Sequence, residues 1–402
     1  MASRLLCLGL VSVLLAYYIY TPLPDNIEEK WKATLLDVTF RSLGHVSNFA
    51  ELLGIKHYMD VMMFLTYAEN TEPTSDENVT VTDTLFNNVP VRLYIPKKST
   101  EALKSGVIYI HGGGWCLGSA AMKPYDLLSR RTAQKLGAVV VSIEYRLAPR
   151  FQFPTQFDDV YTVVKFFLDK TILNKYSVDP DRVAVAGDSA GGNLAAAVAQ
   201  QLLKDPEVNI KLKVQALIYP VLQDLDLHTP SYQENGKMPL LSSNLMVRFW
   251  CEYITTDRRL CEAMLSNRHI PLEAADLFKF VNWSSLLPED LKKNHIYSPQ
   301  FGHSEFVKKY PGILDERVSP LLAKDEQLKG LPLTYVITCM YDVLRDDGFM
   351  YVSRLKKMGV QVVHHHYDNT FHGILLLNNW PLDFQIAHHI EERYLNWLKE
   401  NL

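Results

Sequence analysis

What most constrains this chain is a series of continuous apolar, β-branched runs set apart by helix-length segments. They are G-V-I-Y-I (106–110), A-V-V-V-S-I (138–143), R-V-A-V-A-G (182–187), V-Q-A-L-I-Y-P (214–220) and L-T-Y-V-I-T (333–338). A strand with one face in water alternates apolar and polar residues, whereas a strand apolar at every position must be covered on both faces. Such runs alternating with helices predict an α/β protein with a mostly parallel central sheet and helices on both faces. Ahead of them, N-V-T-V-T-D-T-L-F and V-P-V-R-L-Y-I-P flank Asn87-Asn88, a pair that tolerates positive φ. That pattern predicts an antiparallel hairpin.

Between residues 223 and 330 the rhythm stops for longer than a connection within a compact sheet allows. This segment contains the helical stretch L-M-V-R-F-W-C-E-Y-I. Together with residues 22–75, which read as helical, it is expected to form a helical cap over the sheet. The predicted organisation is an anchor at 1–21, a cap segment at 22–75, a core in two parts (76–222 and 331–402) and a cap insertion at 223–330. From Asp383 onward, Ile386, Ile390, Tyr394, Trp397 and Leu398 share one helical face that should pack on the sheet.

The amino terminus belongs to a different class of segment. After Arg4, residues 5–20 (L-L-C-L-G-L-V-S-V-L-L-A-Y-Y-I-Y) carry no charge. Signal-peptide cleavage favours small residues at the end of such a run, but this one ends in Tyr17, Tyr18, Ile19 and Tyr20. Bulky aromatics suit a membrane interface, so an uncleaved signal anchor is expected. Arg4 precedes the run and Asp25, Glu28 and Glu29 follow it, which keeps the terminus cytosolic and the body lumenal. Asn78-Val79-Thr80 and Asn282-Trp283-Ser284 are sequons, consistent with a body glycosylated at Asn78 and Asn282. Five cysteines are present; with Cys7 inside the anchor, the other four, Cys116, Cys251, Cys261 and Cys339, allow three full pairings. A net charge of −4 and the absence of any basic block exclude a nucleic-acid partner.

The chemistry centres on Gly187-Asp188-Ser189-Ala190-Gly191, which joins a buried strand directly to the helix-forming N-L-A-A-A-V-A-Q-Q-L-L. A strand turning at once into a helix strains its pivot residue, and flanking glycines let the two backbones pass without a Cβ collision. The serine hydroxyl is then displayed at the carboxyl end of the sheet, beside a helix N-terminus that favours negative charge. His111-Gly112-Gly113-Gly114-Trp115 follows another strand, and glycines suit a loop whose N–H groups must reach an oxyanion. The expected donors are the N–H groups of Gly112, Gly113 and Ala190, with His111 shaping the loop. A phosphate loop is excluded, since neither the Lys-Ser/Thr ending nor the dinucleotide spacing is present.

A serine needs a base, and the base needs an orienting carboxylate. His372 follows the run V-Q-V-V-H-H-H-Y and a D-N-T loop, which places it beyond a strand's carboxyl end. His364, His365 and His366 lie within that run and read as strand residues rather than metal ligands. After L-T-Y-V-I-T, Asp342 stands nearest the strand end, while Asp346 and Asp347 suit capping of the next helix. The chain order Ser189, Asp342, His372 is the one expected when such a serine elbow sits on a doubly wound sheet.

H-G-G-G-W, E-Y-R-L-A-P, G-D-S-A-G-G-N, D-V-L-R-D-D and F-H-G together resemble the hormone-sensitive lipase-like group of α/β-hydrolases over residues 80–402. The N-terminal run, Y-T-P-L-P-D-N-I-E-E and F-K-F-V-N-W-S-S-L-L-P narrow the resemblance to a membrane-anchored branch of the endoplasmic reticulum. That branch hydrolyses acetamides and esters of aromatic or lipid-like compounds. The resemblance implies an α/β-hydrolase fold, catalysis by Ser189, Asp342 and His372, an oxyanion loop from His111 to Gly114, a disulfide between Cys116 and Cys339, and no cofactor or metal. The expected partners are a lipophilic small-molecule ester or amide and, through the anchor, a membrane. A neutral lipid esterase is the alternative within the class; a non-catalytic receptor on the same fold would be expected to lack a triad residue.

Overall fold

The structure is a computed structural model that describes residues 18–20, 22–98 and 103–402. The expected anchor (1–21) therefore lies almost wholly outside the described residues, among which no helix is long and apolar enough to cross a membrane.

Eight strands form one sheet: β1 (Val79–Phe86), β2 (Val89–Pro96), β3 (Lys104–Ile110), β4 (Val139–Ile143), β5 (Val178–Asp188), β6 (Val214–Ile218), β7 (Leu333–Tyr341) and β8 (Val362–Phe371). Their spatial order is β1-β2-β4-β3-β5-β6-β7-β8. The hairpin β1–β2 turns through Asn87 and Asn88 at φ 46° and 69°, the mirror-image turn that matches strand twist. β2 also runs antiparallel to β4, and every later pair is parallel. Both faces are covered, as the apolar runs require. Along β3, Ile108 and Ile110 enter one core while Val107 and Tyr109 enter the other. The first core takes in the helix Ser243–Ile254 from the segment between β6 and β7; the second takes in the terminal helix Gln385–Asn401, with Ile386, Ile390, Tyr394, Trp397 and Leu398 buried.

Residues 22–75 hold the helices Lys30–Leu52 and Tyr58–Ala68. The first begins beside the loop after β8, where Glu29 accepts from Gln385 N at 2.7 Å. It ends against the helix Ser243–Ile254, where Arg248 pairs with Glu51 at 2.7 Å. The D-N-T stretch is not a loop: β8 continues through it, because β7 resumes pairing after an irregularity and Tyr341 aligns with Phe371.

The expected Cys116–Cys339 disulfide is absent. Both are free and buried, Cys116 in the first core and Cys339 in the second, on opposite faces of the sheet. The bonded pair is Cys251–Cys261, which ties the helix Ser243–Ile254 to Arg258–Leu265 across a Cα separation of 5.5 Å. Asp346 and Asp347 do not cap their helix. They lie in its buried first turn and accept from the chain that follows β6: Ser231 N bonds Asp346 at 2.7 Å, and Leu222 N bonds Asp347 at 2.9 Å.

Candidate active site

Ser189 ends β5 and opens the helix Ala190–Leu202 with φ 54° and ψ −118°, a conformation that ordinary side chains avoid. The strain is held by the framework: Ser189 N donates to Ile218 O of β6 at 2.9 Å, and Asn193 N donates to Ser189 O at 3.0 Å. The two flanking glycines are obligatory. A Cβ on Gly187 would strike Gly191 O, and one on Gly191 would strike Ile110 O, so helix and strands pass at backbone contact.

The three expected catalytic side chains meet. The Ser189 hydroxyl donates to His372 Nε2 at 2.9 Å, and His372 Nδ1–H donates to Asp342 Oδ2 at 2.8 Å. Asp342 is buried, and its other oxygen accepts Leu344 N at 2.8 Å, which fixes the carboxylate. Asn235 Nδ2 donates to Met340 O at 2.9 Å and to Asp342 O at 3.0 Å, locking the turn that carries Asp342. Tyr219 packs its ring 4.8 Å from that of His372.

The oxyanion loop departs from expectation by one residue. Gly112 N–H is already committed, donating to Asp188 Oδ1 at 3.0 Å and to the Tyr125 hydroxyl at 2.9 Å. It therefore holds the loop and is not an oxyanion donor. Among the described residues no protein acceptor is bonded to the N–H of Gly113, Gly114 or Ala190. These three are the available donors, two from the loop and one from the first turn of the elbow helix. Gly113 and Gly114 take φ 105° and 60°, which explains why glycine is needed there. A Cβ on Gly114 would also run into the Phe249 ring. His111 is structural, as expected. Its Nδ1–H donates to Gly112 O at 2.8 Å, its ring stacks on Tyr145 at 4.3 Å, and burial lowers its pKa to about 4, so it stays neutral.

Asp188 is the residue that sequence reasoning passed over as the spacer in G-x-S-x-G. It is fully enclosed and accepts from Gly112 N–H, from Tyr109 OH at 3.0 Å and from Tyr125 OH at 3.2 Å. Burial raises its pKa to about 6, against the opposing pull of these hydrogen bonds. Asp188 joins the nucleophile's strand to the oxyanion loop. Glu144, from E-Y-R-L-A-P, holds the segment after the loop by accepting Ala120 N at 2.6 Å and Ser119 OH at 2.8 Å.

The run of histidines stays within β8. His364 and His366 both bond the Thr338 hydroxyl at 2.8 Å, and among the described residues no cluster of three His, Cys, Asp or Glu side chains is arranged to hold a metal. Both sequon asparagines are half-buried: Asn78 stands just before β1, and the Asn282 side chain caps a short helix by accepting Ser284 N at 3.1 Å.

A serine–histidine–carboxylate relay at the carboxyl end of a doubly wound sheet, next to a glycine loop and an elbow helix whose N–H groups are left without a protein acceptor, defines a serine hydrolase. The family pattern described as alpha/beta hydrolase fold matches residues 107–279 and 281–376, and the chain belongs to that family. It is similar to arylacetamide deacetylase of rabbit (Oryctolagus cuniculus), at 59% identity over 98% of each chain. It is also similar to neutral cholesterol ester hydrolase 1 of cattle (Bos taurus), at 46% identity over 100% of each. Among solved structures it resembles a hyperthermophilic esterase from the archaeon Pyrobaculum calidifontis, at 27% identity with a TM-score of 0.59, covering 85% of this chain and 89% of that one.

Proposed function

We propose that this protein hydrolyses acetamide and carboxylic ester bonds of lipophilic aromatic or lipid-like compounds through an acyl-enzyme. The observation that carries this is the relay Ser189–His372–Asp342, with the N–H groups of Gly113, Gly114 and Ala190 left without a protein acceptor. Ser189 Oγ attacks the carbonyl carbon while His372 Nε2 takes its proton. Asp342 holds the δ-protonated tautomer and stabilises the imidazolium that forms. Negative charge on the carbonyl oxygen is met by the three N–H groups, each such donor contributing about 3 kcal/mol to barrier lowering. His372 then protonates the departing amine or alcohol. Water, activated by the same imidazole, releases the acid.

Apolar side chains border the site. Phe249 covers Gly114, and Leu240 lies against Gly373, next to His372. With the 59% identical deacetylase as a relative, these surfaces support acetyl transfer from aromatic amides. The cholesterol ester hydrolase relative supports a second reading, a neutral lipid esterase with the same chemistry. We place the protein in the endoplasmic reticulum as a type II membrane glycoprotein, anchored by residues 5–20, with the catalytic body lumenal and glycans on Asn78 and Asn282.

Microsomes containing the full chain would be given an acetanilide-type amide, a short aryl ester and a long-chain sterol ester. Amide turnover within reach of the aryl ester rate supports the deacetylase; sterol ester turnover with no amide cleavage selects the lipid esterase. Release by alkaline carbonate, or no size change on glycosidase treatment, would contradict the anchored glycoprotein.

A further inference from the structure

Eleven of the eighteen exposed large apolar side chains among the described residues fall between Ile19 and Tyr67. Seven of these lie on the two N-terminal helices, and such crowding calls for a partner. Trp31, Leu35, Val46 and Phe49 lie within an arc of about 60° on the helix Lys30–Leu52, counted at 100° per residue. Trp31 is 67% exposed, Phe49 61%, Leu52 81% and, on the next helix, Phe64 74%. Residues 33–55 include only three formal charges, Asp37, Arg41 and Glu51. All are paired, Arg41 with Asp37 at 2.7 Å and Glu51 with Arg248 at 2.7 Å. No lone charge within residues 33–55 would have to be dehydrated to cover this face, and Lys56 and Asp60, exposed beside Ile55 and Phe64, would stay at the level of the lipid headgroups.

We infer that the exposed stripe on the helix Lys30–Leu52, continued by Ile55 and Phe64, docks on a lipid bilayer surface, a contact additional to the N-terminal run. The occupant follows from where that run arrives. Tyr18 sits at the middle of the stripe: its hydroxyl bonds Ser42 at 3.2 Å, and Arg41 donates to its carbonyl at 3.0 Å with the guanidinium 5.0 Å over its ring. A helix of a second copy could not lie flat along a stripe occupied at its middle by Tyr18. The uncharged run 5–20 has no polar face, so laying it over the stripe would only move apolar surface outward into water. A fluid lipid surface accommodates the stripe and the run together. The inference rests on the membrane-anchored reading above and adds an orientation to it. Glu51, at the end of the stripe helix, pairs with Arg248 on the helix whose Phe249 covers Gly114. The docked helix is thus one ion pair from the oxyanion loop, which brings the cover of the site to the membrane, where lipophilic substrates dissolve.

The test uses the full chain with Cys7→Ser, reconstituted in phosphatidylcholine vesicles. An environment-sensitive fluorophore is placed at Phe49→Cys, at Phe64→Cys and, at the other end of the sheet, at the exposed Lys175→Cys. The expected result is blue-shifted emission at 49 and 64 that nitroxide-labelled lipids quench, with neither effect at 175. Blue-shifted emission without quenching means that protein covers the stripe, and water-like emission means that nothing does; either overturns the inference. Alkaline carbonate extraction of the same vesicles reports on the anchor separately, so quenched labels on an extractable chain would refute the anchor and leave the stripe standing. In a second measurement, Leu35→Ser, Phe49→Ser and Phe64→Ser are combined, and turnover of a vesicle-embedded ester is divided by turnover of a water-soluble one. That ratio is expected to fall about tenfold, and an unchanged ratio overturns the inference.

Discussion

Asp188 tests whether the oxyanion loop is positioned from beneath. Asp188→Ala removes the acceptor of Gly112 N–H, Tyr109 OH and Tyr125 OH. The Tyr125 oxygen still accepts Gly112 N–H, so two buried hydroxyls lose their acceptor, at about 1–3 kcal/mol each. Against this stands a gain. Burial raises the Asp188 carboxyl from 3.8 to about 6, which corresponds to about 3 kcal/mol of instability in the wild type at pH 8. The two effects nearly offset, so the fold should survive with a small change in Tm. Catalysis should not survive equally. Held only by Tyr125, which has lost its own acceptor, the loop no longer fixes the Gly113 and Gly114 N–H groups, and one displaced donor lowers kcat by about 10²–10³. Asp188→Asn keeps an oxygen for Gly112 and should retain most of kcat. The assay is kcat and KM on a water-soluble aryl ester, with Tm by scanning fluorimetry. Wild-type kcat in the alanine variant, or equal losses in the alanine and asparagine variants, would refute the positioning argument.

Other consequences are equally concrete. Burial raises Asp224 to about 7, its Oδ1 accepting from Ser319 and its Oδ2 bonded to nothing among the described residues. A carboxyl raised on folding stabilises below its ordinary 3.8 and loses that contribution as pH climbs through about 7. The Tm of Asp224→Asn should therefore rise relative to wild type between pH 5 and pH 8, and a gap that narrows over that range would contradict the assignment. Non-reducing peptide mapping of the denatured chain should find Cys251 linked to Cys261, with Cys116 and Cys339 alkylatable; a Cys116–Cys339 peptide would contradict the two-face packing. Gly114→Ala forces a Cβ at φ 60° against Phe249. It should lower kcat by about 10²-fold while Tm shows a folded protein, and unchanged kcat would remove Gly114 from the donor set.

The parts of this molecule legible in the sequence are those with local causes. Apolar runs fixed the parallel strands, because burial on both faces leaves no polar alternation. Ser189, Asp342 and His372 were legible because each stands just past the carboxyl end of such a run. What was missed depends on distant contacts. Gly112 was misassigned as a donor because its acceptor, Asp188, lies 76 residues away. Asp346 and Asp347 looked like helix caps, yet their partners Ser231 and Leu222 lie 115 and 125 residues away. The Cys116–Cys339 pairing failed for a similar reason: both positions lie near the top of the sheet in sequence terms, but the loop after β3 packs Cys116 into the first core while Cys339, on β7, points into the second. The D-N-T stretch has turn composition, and contacts distant in sequence keep it extended: Asn26 Nδ2 donates to Asp368 O at 2.9 Å, Glu28 N donates to Asn369 O at 3.4 Å, and Phe371 aligns with Tyr341.

The central claim is that Ser189 is the nucleophile of a hydrolase. The direct measurement compares Ser189→Ala with wild type in microsomes, using a fluorophosphonate probe and paired amide and ester substrates. The expected result is that the parent labels and turns over, while the variant loses labelling and both activities at equal expression. Retained labelling and turnover in the variant, or a parent that does neither, would contradict it.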